Sequence, residues 1–186
     1  METERLILRK FEENDLEALY LILKDKDVNT FLPWYPINNI EETKTFYKEQ
    51  IENKEYYFAI CLKNDGYPIG YIQVDTESDS HDLGYALRKE YWHKGIVSEA
   101  GNALITLLKE NDIPYITATH DRENLRSGAV MQRIGMKYCY SYKEQWQPKN
   151  ILVTFRMYQL NFDEKEDRVY QKYWELYDEH FIETNL

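Results

Sequence analysis

Two cysteines in 186 residues, Cys61 and Cys139, are too few for a disulfide framework, and both sit in strand-like runs. Their scarcity suits a reducing, cytoplasmic setting. Long apolar runs are also missing. The longest, Ala18 to Leu23, falls far short of the ~20 residues a membrane helix needs. The opening Met1-Glu2-Thr3-Glu4 lacks the basic-then-apolar order of a signal peptide. There is no excess of positive charge. The net charge of −10 excludes the basic footprint of a general nucleic-acid binder. Eight acids against three bases in residues 161–186 supply −5 of it, so the charge says little about any pocket. Internal repeats, low-complexity tracts, the Gly-x4-Gly-Lys-Ser/Thr loop and a recognisable Ser-His-Asp or Cys-His-Asp context are likewise absent.

What is abundant is aromatic surface: 15% of residues, with seventeen tyrosines. Amphipathic rings in that number suggest a core and a pocket built partly from aromatics. Arg5 to Arg9 reads as a first strand. Asn14 and Glu17 have capping-box spacing before Leu16, Leu19, Tyr20 and Leu23 at helical period, and Asn38 with Glu41 opens a second helix to about Asn53. Strands follow at Tyr56–Leu62, Ile69–Asp75 and Asp82–Arg88, with a turn at Asn64-Asp65-Gly66. The period then changes: Val97, Ala100, Leu104, Leu107 and Leu108 form a helix face. A strand at Tyr115–His120, a short helix capped by Asn124 and ended by Gly135, and strands at Lys137–Lys143 and Leu152–Leu160 complete the order. That order predicts an α+β or mixed α/β sandwich over residues 1–160: a mostly antiparallel sheet with one β-α-β unit, flanked by helices. Residues 161–186 read as an acidic, aromatic extension. A helix is expected over Glu166–Phe181, its stripe of Tyr170, Tyr173, Trp174, Tyr177 and Phe181 packing on the domain or on a dimer partner.

The chemistry concentrates between Leu83 and Ala100. A strand feeds a turn at Gly95 and a helix starts at once. The first turn of a helix offers unpaired N–H groups and a partial positive charge, which suit a diphosphate, and Gly95 lets backbone approach it without a Cβ. Ser98 adds a hydroxyl donor; Lys94 and His93 add charge. Taken alone, one Gly and one Lys favour a plain strand–turn–helix.

In combination, Gly84-Tyr85, Tyr91-Trp92-His93-Lys94-Gly95, Ser98-Glu99-Ala100, Asn124-Leu-Arg-Ser127 and Arg133-Ile-Gly135-Met136 resemble the GNAT superfamily of acyl-CoA N-acyltransferases. The similarity is greatest to its ribosomal-protein N-terminal (Rim-type) acetyltransferase branch and covers roughly residues 4–160. The phosphate loop departs from the usual Gln/Arg-x-x-Gly-x-Gly/Ala, with Trp92 first, Val97 last and His93 where the branch often has Gly. Met131 stands where many members have a tyrosine.

The resemblance implies transfer of an acetyl group from acetyl-CoA, without a metal, to a primary amine such as a protein N-terminus, a polyamine or an amino sugar. It implies direct attack in a ternary complex. The backbone of Ala86, Leu87 and Arg88 would pair with pantetheine, the loop His93, Lys94, Gly95, Ile96, Val97 and Ser98 would hold the diphosphate, and Asn124 would reach the pantetheine arm. Asp82 is the first candidate for the base, because the branch often has a Glu in this strand, and His81 is the alternative, its imidazole titrating near neutral pH. For each, a solvent-facing strand residue is the plain alternative. Ser127 is the candidate acid, or a water holder, at the thiolate. Trp34, Tyr35 and Tyr85 are candidates for the acceptor pocket. Two competing readings are a non-catalytic acyl-CoA-binding module and an interaction protein using the aromatic tail.

Overall fold

A computed structural model of the chain describes residues 1–165 and 167–184. Among the described residues eight strands form one sheet in the order β1-β2-β3-β4-β5-β7-β6-β8. They are β1 (Leu6–Arg9), β2 (Tyr57–Leu62), β3 (Pro68–Asp75), β4 (Asp82–Leu87), β5 (Tyr115–Asp121), β6 (Lys137–Trp146), β7 (Ile151–Asn161) and β8 (His180–Phe181). The helices are α1 (Leu16–Leu23), α2 (Lys26–Asn29), α3 (Ile40–Gln50), α4 (Ile96–Glu110), α5 (Leu125–Arg133) and α6 (Lys172–Leu176). Every strand pairing is antiparallel except β4 with β5. No helix among the described residues is long and apolar enough to cross a membrane.

Alternation along the strands divides the core between the two faces of the sheet. One face buries Ile72, Leu83, Leu87, Ile116 and Ala118 against Ala100, Leu104 and Leu108 of α4 and Met131 of α5. The other buries Ala59, Cys61, Tyr71 and Ala86 against Leu19, Ile22 and Leu23 of α1 and Tyr47 of α3. Further along that second face, Tyr140, Tyr142, Phe155 and Met157 are covered by Tyr170, Tyr173, Trp174 and Tyr177 of the C-terminal segment.

Helix starts differ from the sequence reading by a residue or more. The expected Asn14–Glu17 box is replaced by one between Glu12 and Asp15. The Asp15 carboxylate accepts from Glu12 N–H at 2.9 Å and takes both Arg9 guanidinium nitrogens at 2.6 and 2.8 Å, which pins the chain before Asn14 can cap anything. Asn39, not Asn38, caps α3, accepting from Glu42 N–H at 2.9 Å, while the Glu42 carboxylate reaches back to Asn38 N–H. Of the helix expected over Glu166–Phe181, Glu166 lies outside the described residues, and among the rest only the five residues of α6 are helical. Two forces extend the rest: stacking of its tyrosines on the β6–β7 surface, and a Glu183–Arg156 ion pair that draws the chain along β6 so that His180 and Phe181 pair with Tyr142 and Ser141.

Candidate active site

The sheet opens where its one parallel pairing fails. β4 and β5 are in register only at Asp82 and Thr117. From Leu83 onward the edge of β4 that faces β5 has no strand beside it, while β5 stays paired along its length with β7. The result is a cleft of about 710 Å³ that runs from the start of α4, past β4 and α5, to the ends of β3 and β6.

At one end, α4 begins without a side-chain cap. Its N-cap is Gly95, left-handed at φ 71°, a conformation any Cβ would strain. The N–H groups of the first turn point outward without intrahelical partners. Ser98 Oγ is buried and bonded to nothing. An orphaned hydroxyl beside open amides at the positive end of a fifteen-residue helix fits a phosphate-bearing ligand. Helix α4 is anchored by Glu99, which accepts from Thr3 Oγ1 at 2.5 Å and Arg5 Nε at 2.6 Å. Burial alone would raise the Glu99 pKa, but the bonds from Thr3 and Arg5 lower it on balance. Lys94 lies over the Tyr91 ring, Arg126 stacks on Trp92 at 4.1 Å, and His93, Lys94, Arg126 and Arg133 all line this end.

In the middle, Ala86, Leu87, Asn124 and Ser127 line the cleft together. Asn124 caps α5, its side chain accepting from Ser127 N–H at 3.4 Å. Tyr85 reaches from β4 across the gap to α5. Its hydroxyl lies 2.8 Å from Ser127 Oγ and donates to the Ser127 carbonyl at 3.1 Å. Burial raises the Tyr85 pKa; the Ser127 bond opposes and the Asp82 charge adds. Met131 is wholly buried in the core, so the hydroxyl beside Ser127 comes from the strand and not from α5. That pairing joins two segments 42 residues apart, and no local pattern could have revealed it.

At the far end, Asp82 opens β4. Burial pushes its carboxyl up to about 7, the Thr117 hydroxyl at 3.3 Å holding it down and Asp75 pushing it further up. Asp75, Glu144 and the tail tyrosines Tyr173 and Tyr177 line the cleft with it; sequence reasoning had placed the two tyrosines in a packing stripe and none of the four in the site. Burial also raises Glu144, with the Tyr177 hydroxyl opposing.

Three sequence candidates lie elsewhere. His81, at φ 46°, turns its ring to Tyr115, with Nδ1 at 3.1 Å from the Tyr115 carbonyl, and is not part of the cleft lining. Arg88 leaves the cleft because its N–H bonds the Ile69 carbonyl and its guanidinium pairs with Glu90. Tyr35 is 60% exposed and donates to the Pro148 carbonyl at 3.3 Å, whereas its neighbour Trp34 does face the cleft.

A splayed strand pair, an open helix start and a buried carboxylate thus line one cleft. The chain belongs to the GNAT acetyltransferases: the model described as "Acetyltransferase (GNAT) domain" matches residues 5–137. It is 30% identical over 138 residues to the uncharacterized N-acetyltransferase YnaD of Bacillus subtilis, covering 73% of this chain and 81% of that protein. Among solved structures it is similar to a GNAT-family acetyltransferase from Bacillus anthracis, with TM-score 0.78, 28% identity, and coverage of 88% of this chain and 99% of that one. RimL, a ribosomal L7/L12 alpha-N-protein acetyltransferase solved with coenzyme A, shares the fold at TM-score 0.70 and 21% identity, over 86% of this chain and 95% of that one.

Proposed function

We propose that this acetyltransferase moves an acetyl group from acetyl-CoA to a primary amine by direct attack within a ternary complex. The observation that carries the reading is the single cleft with an uncapped, phosphate-ready helix start at one end and a buried carboxylate at the other. When bound, acetyl-CoA supplies the activated acyl group; RimL, which has the same fold, was solved with coenzyme A.

The roles of the chain follow from chemistry. Gly95 through Ser98 present amides and a hydroxyl to the diphosphate, with Lys94 and Arg126 nearby to neutralise it. The open edge of β4 at Gly84–Ala86 holds the pantetheine arm by adding a strand to the sheet. Asp82 takes a proton from the acceptor ammonium, because a carboxyl titrating near 7 is matched to that transfer at neutral pH. A nitrogen–carbon bond then forms as the carbon–sulfur bond breaks. The second proton shed by the amine nitrogen passes through the Ser127 hydroxyl, oriented by Tyr85, to the leaving thiolate, so Ser127 ends with its own proton restored. Tyr85 thus acts through Ser127 as a positioning residue. Two free thiols, Cys61 and Cys139, suit a reducing cytoplasm.

The test is thiol release from acetyl-CoA with a panel of primary amines and peptides, alongside thermal melting with the cofactor alone. A ligand at 100 times its dissociation constant stabilises the fold by about 2.7 kcal/mol. A melting temperature that rises with acetyl-CoA, with release that depends on the amine, supports the enzyme. A rise without release for any acceptor leaves only a binding module, and no rise removes both.

A further inference from the structure

Asp82 sits at the one point where the two halves of the sheet meet. β4 and β5 share a single register pair, Asp82 with Thr117, so strand pairing alone fixes little of how the carboxyl is presented. The loop that leads into it, residues 76–81, ends in His81 at a left-handed φ of 46°. A non-glycine residue persists there only where its surroundings hold it. β5 holds one side of the loop. Thr117 Oγ1 donates to the Ser80 carbonyl at 2.9 Å and lies 3.3 Å from Asp82 Oδ1, and the Tyr115 hydroxyl donates to the Asp79 carbonyl. The C-terminal segment holds the other side. Tyr170 is itself fixed to the β6–β7 surface: its N–H donates to Gln159 Oε1 at 2.7 Å and its carbonyl accepts from the Tyr140 hydroxyl at 2.6 Å. From there its own hydroxyl donates to Asp79 Oδ1 at 3.0 Å, joined by Lys172 Nζ at 3.3 Å. The segment is thus a strap running from β6 and β7 to the loop that delivers Asp82.

Next along the strap, Tyr173 lines the cleft together with Asp82, and its ring stacks on Tyr142 of β6 at 5.3 Å. Burial raises the Tyr173 hydroxyl pKa, the charge of Asp82 adds to the rise, and a hydrogen bond with Ser80 opposes it. Ser80 is itself buried, its Oγ 3.0 Å from Ser78 Oγ. The other titratable groups that face Asp82 are Asp75 from β3, Tyr85 from β4 and Tyr142 from β6. None of these is a cation. A carboxyl without a cation beside it keeps its proton to higher pH only while water is held away. Tyr177 offers a contrast within the same strap. It stacks on Tyr142 at 4.7 Å and lines the same cleft, but burial and then Glu144 raise its hydroxyl, with no part for Asp82.

We propose that Tyr173 is a positioning residue for Asp82, its hydroxyl holding Ser80 in the loop before the base and its ring keeping water from the carboxyl. The base role of Asp82 rests on the acetyl-transfer reading; the placement of its carboxyl by Tyr173 does not. In the full-length chain, carbon-13 NMR would follow the Asp82 carboxyl, assigned with Asp82→Asn, in the wild type, Tyr173→Ala, Tyr173→Phe and Tyr177→Ala. Thiol release with primary amines and peptides would supply kcat and KM for the same proteins. Losing the ring in Tyr173→Ala should move the carboxyl midpoint down by about one pH unit or more, from about 7 toward 3.8. The rise of kcat/KM with pH should move with it. Tyr177→Ala, which removes a ring from the same stack, should leave the midpoint in place. Tyr173→Phe keeps the ring, loses the Ser80 bond and should lower kcat about fivefold with the amine KM unchanged. Tyr173 packs on the outer β6–β7 cluster, so Tyr173→Ala should fold, and Tyr173→Phe tests the proposal even where it does not. An unmoved midpoint in Tyr173→Ala, an equal shift in Tyr177→Ala, or a wild-type kcat in Tyr173→Phe would overturn it. If no amine releases thiol but the midpoint still falls in Tyr173→Ala, acetyl transfer fails and the placement of the carboxyl stands. Amine-dependent release with a midpoint indifferent to Tyr173 gives the reverse.

Discussion

At the scale of single residues, Asp82 makes the sharpest statement because one perturbation has two readable consequences. Its carboxyl is raised from 3.8 to about 7, so the folded protein holds that proton more tightly than the unfolded chain. Stability contributed by the neutral form is present at low pH and lost as pH rises from 3.8 through about 7. At ~1.4 kcal/mol per pKa unit the ionised Asp82 costs at most about 4 kcal/mol, so Asp82→Asn should gain about 1–3 kcal/mol at pH 8 and little at pH 5. Urea melts at the two pH values read that difference. Activity should move the opposite way. In the wild type, kcat/KM rises as pH passes through about 7; in Asp82→Asn the rise disappears and turnover drops about 10²-fold or more, the usual worth of a positioned base. A variant that is more stable and still fully active would clear Asp82 of the base role. His81 illustrates why sequence could not choose between the two neighbours. Successive strand residues face opposite sides, and a left-handed φ at His81 sends its ring to Tyr115, so adjacency in sequence gives no shared access to the cleft.

At the scale of elements, the start of α4 was the most legible part of the site. Strand, glycine turn and helix are contiguous, so spacing alone predicts that Gly95 through Ser98 present open amides to one point. The element also stores a visible imperfection, the unbonded buried hydroxyl of Ser98. A buried polar group without a partner costs about 1–3 kcal/mol, which a bound phosphate would recover by accepting from it. Ser98→Ala should therefore change two measurements in opposite directions. The cofactor-free protein should melt at the same or slightly higher temperature, while coenzyme A affinity by calorimetry falls about fivefold, corresponding to ~1 kcal/mol. Loss of stability with unchanged affinity would mean that the hydroxyl serves the fold and not the ligand.

Across the whole molecule, the acceptor end was illegible for a physical reason. Asp75, Asp82, Glu144 and Tyr177 come from β3, β4, β6 and the tail, and only strand register and the return of the tail along β6 bring them to one face. Helical period suggested a longer tail helix because the aromatic spacing fits one; stacking on the sheet won instead. That return depends on Glu183. Its carboxylate takes Arg156 Nε at 2.9 Å and Nη2 at 2.5 Å, and Ser141 Oγ at 2.7 Å, with both charged side chains 15% exposed. The Arg156 bond holds its pKa at about 2 despite opposing burial, so the contact is complete above 4.5 and is lost as pH falls toward about 2. Hydrogen bonds to a charged group contribute about 1.5–3 kcal/mol, so Glu183→Gln should lose about 1–2 kcal/mol at pH 7 and nothing relative to wild type once the native carboxylate is protonated. Because Trp174 packs on His180 and on Tyr140 beneath the tail, its fluorescence should report the loosening. The same variant should raise the KM for the amine while leaving coenzyme A affinity unchanged, since Tyr173 and Tyr177 line only the acceptor end and α4 is anchored separately by Glu99. Equal weakening of both ligands would show that the two ends of the cleft share one support instead of two.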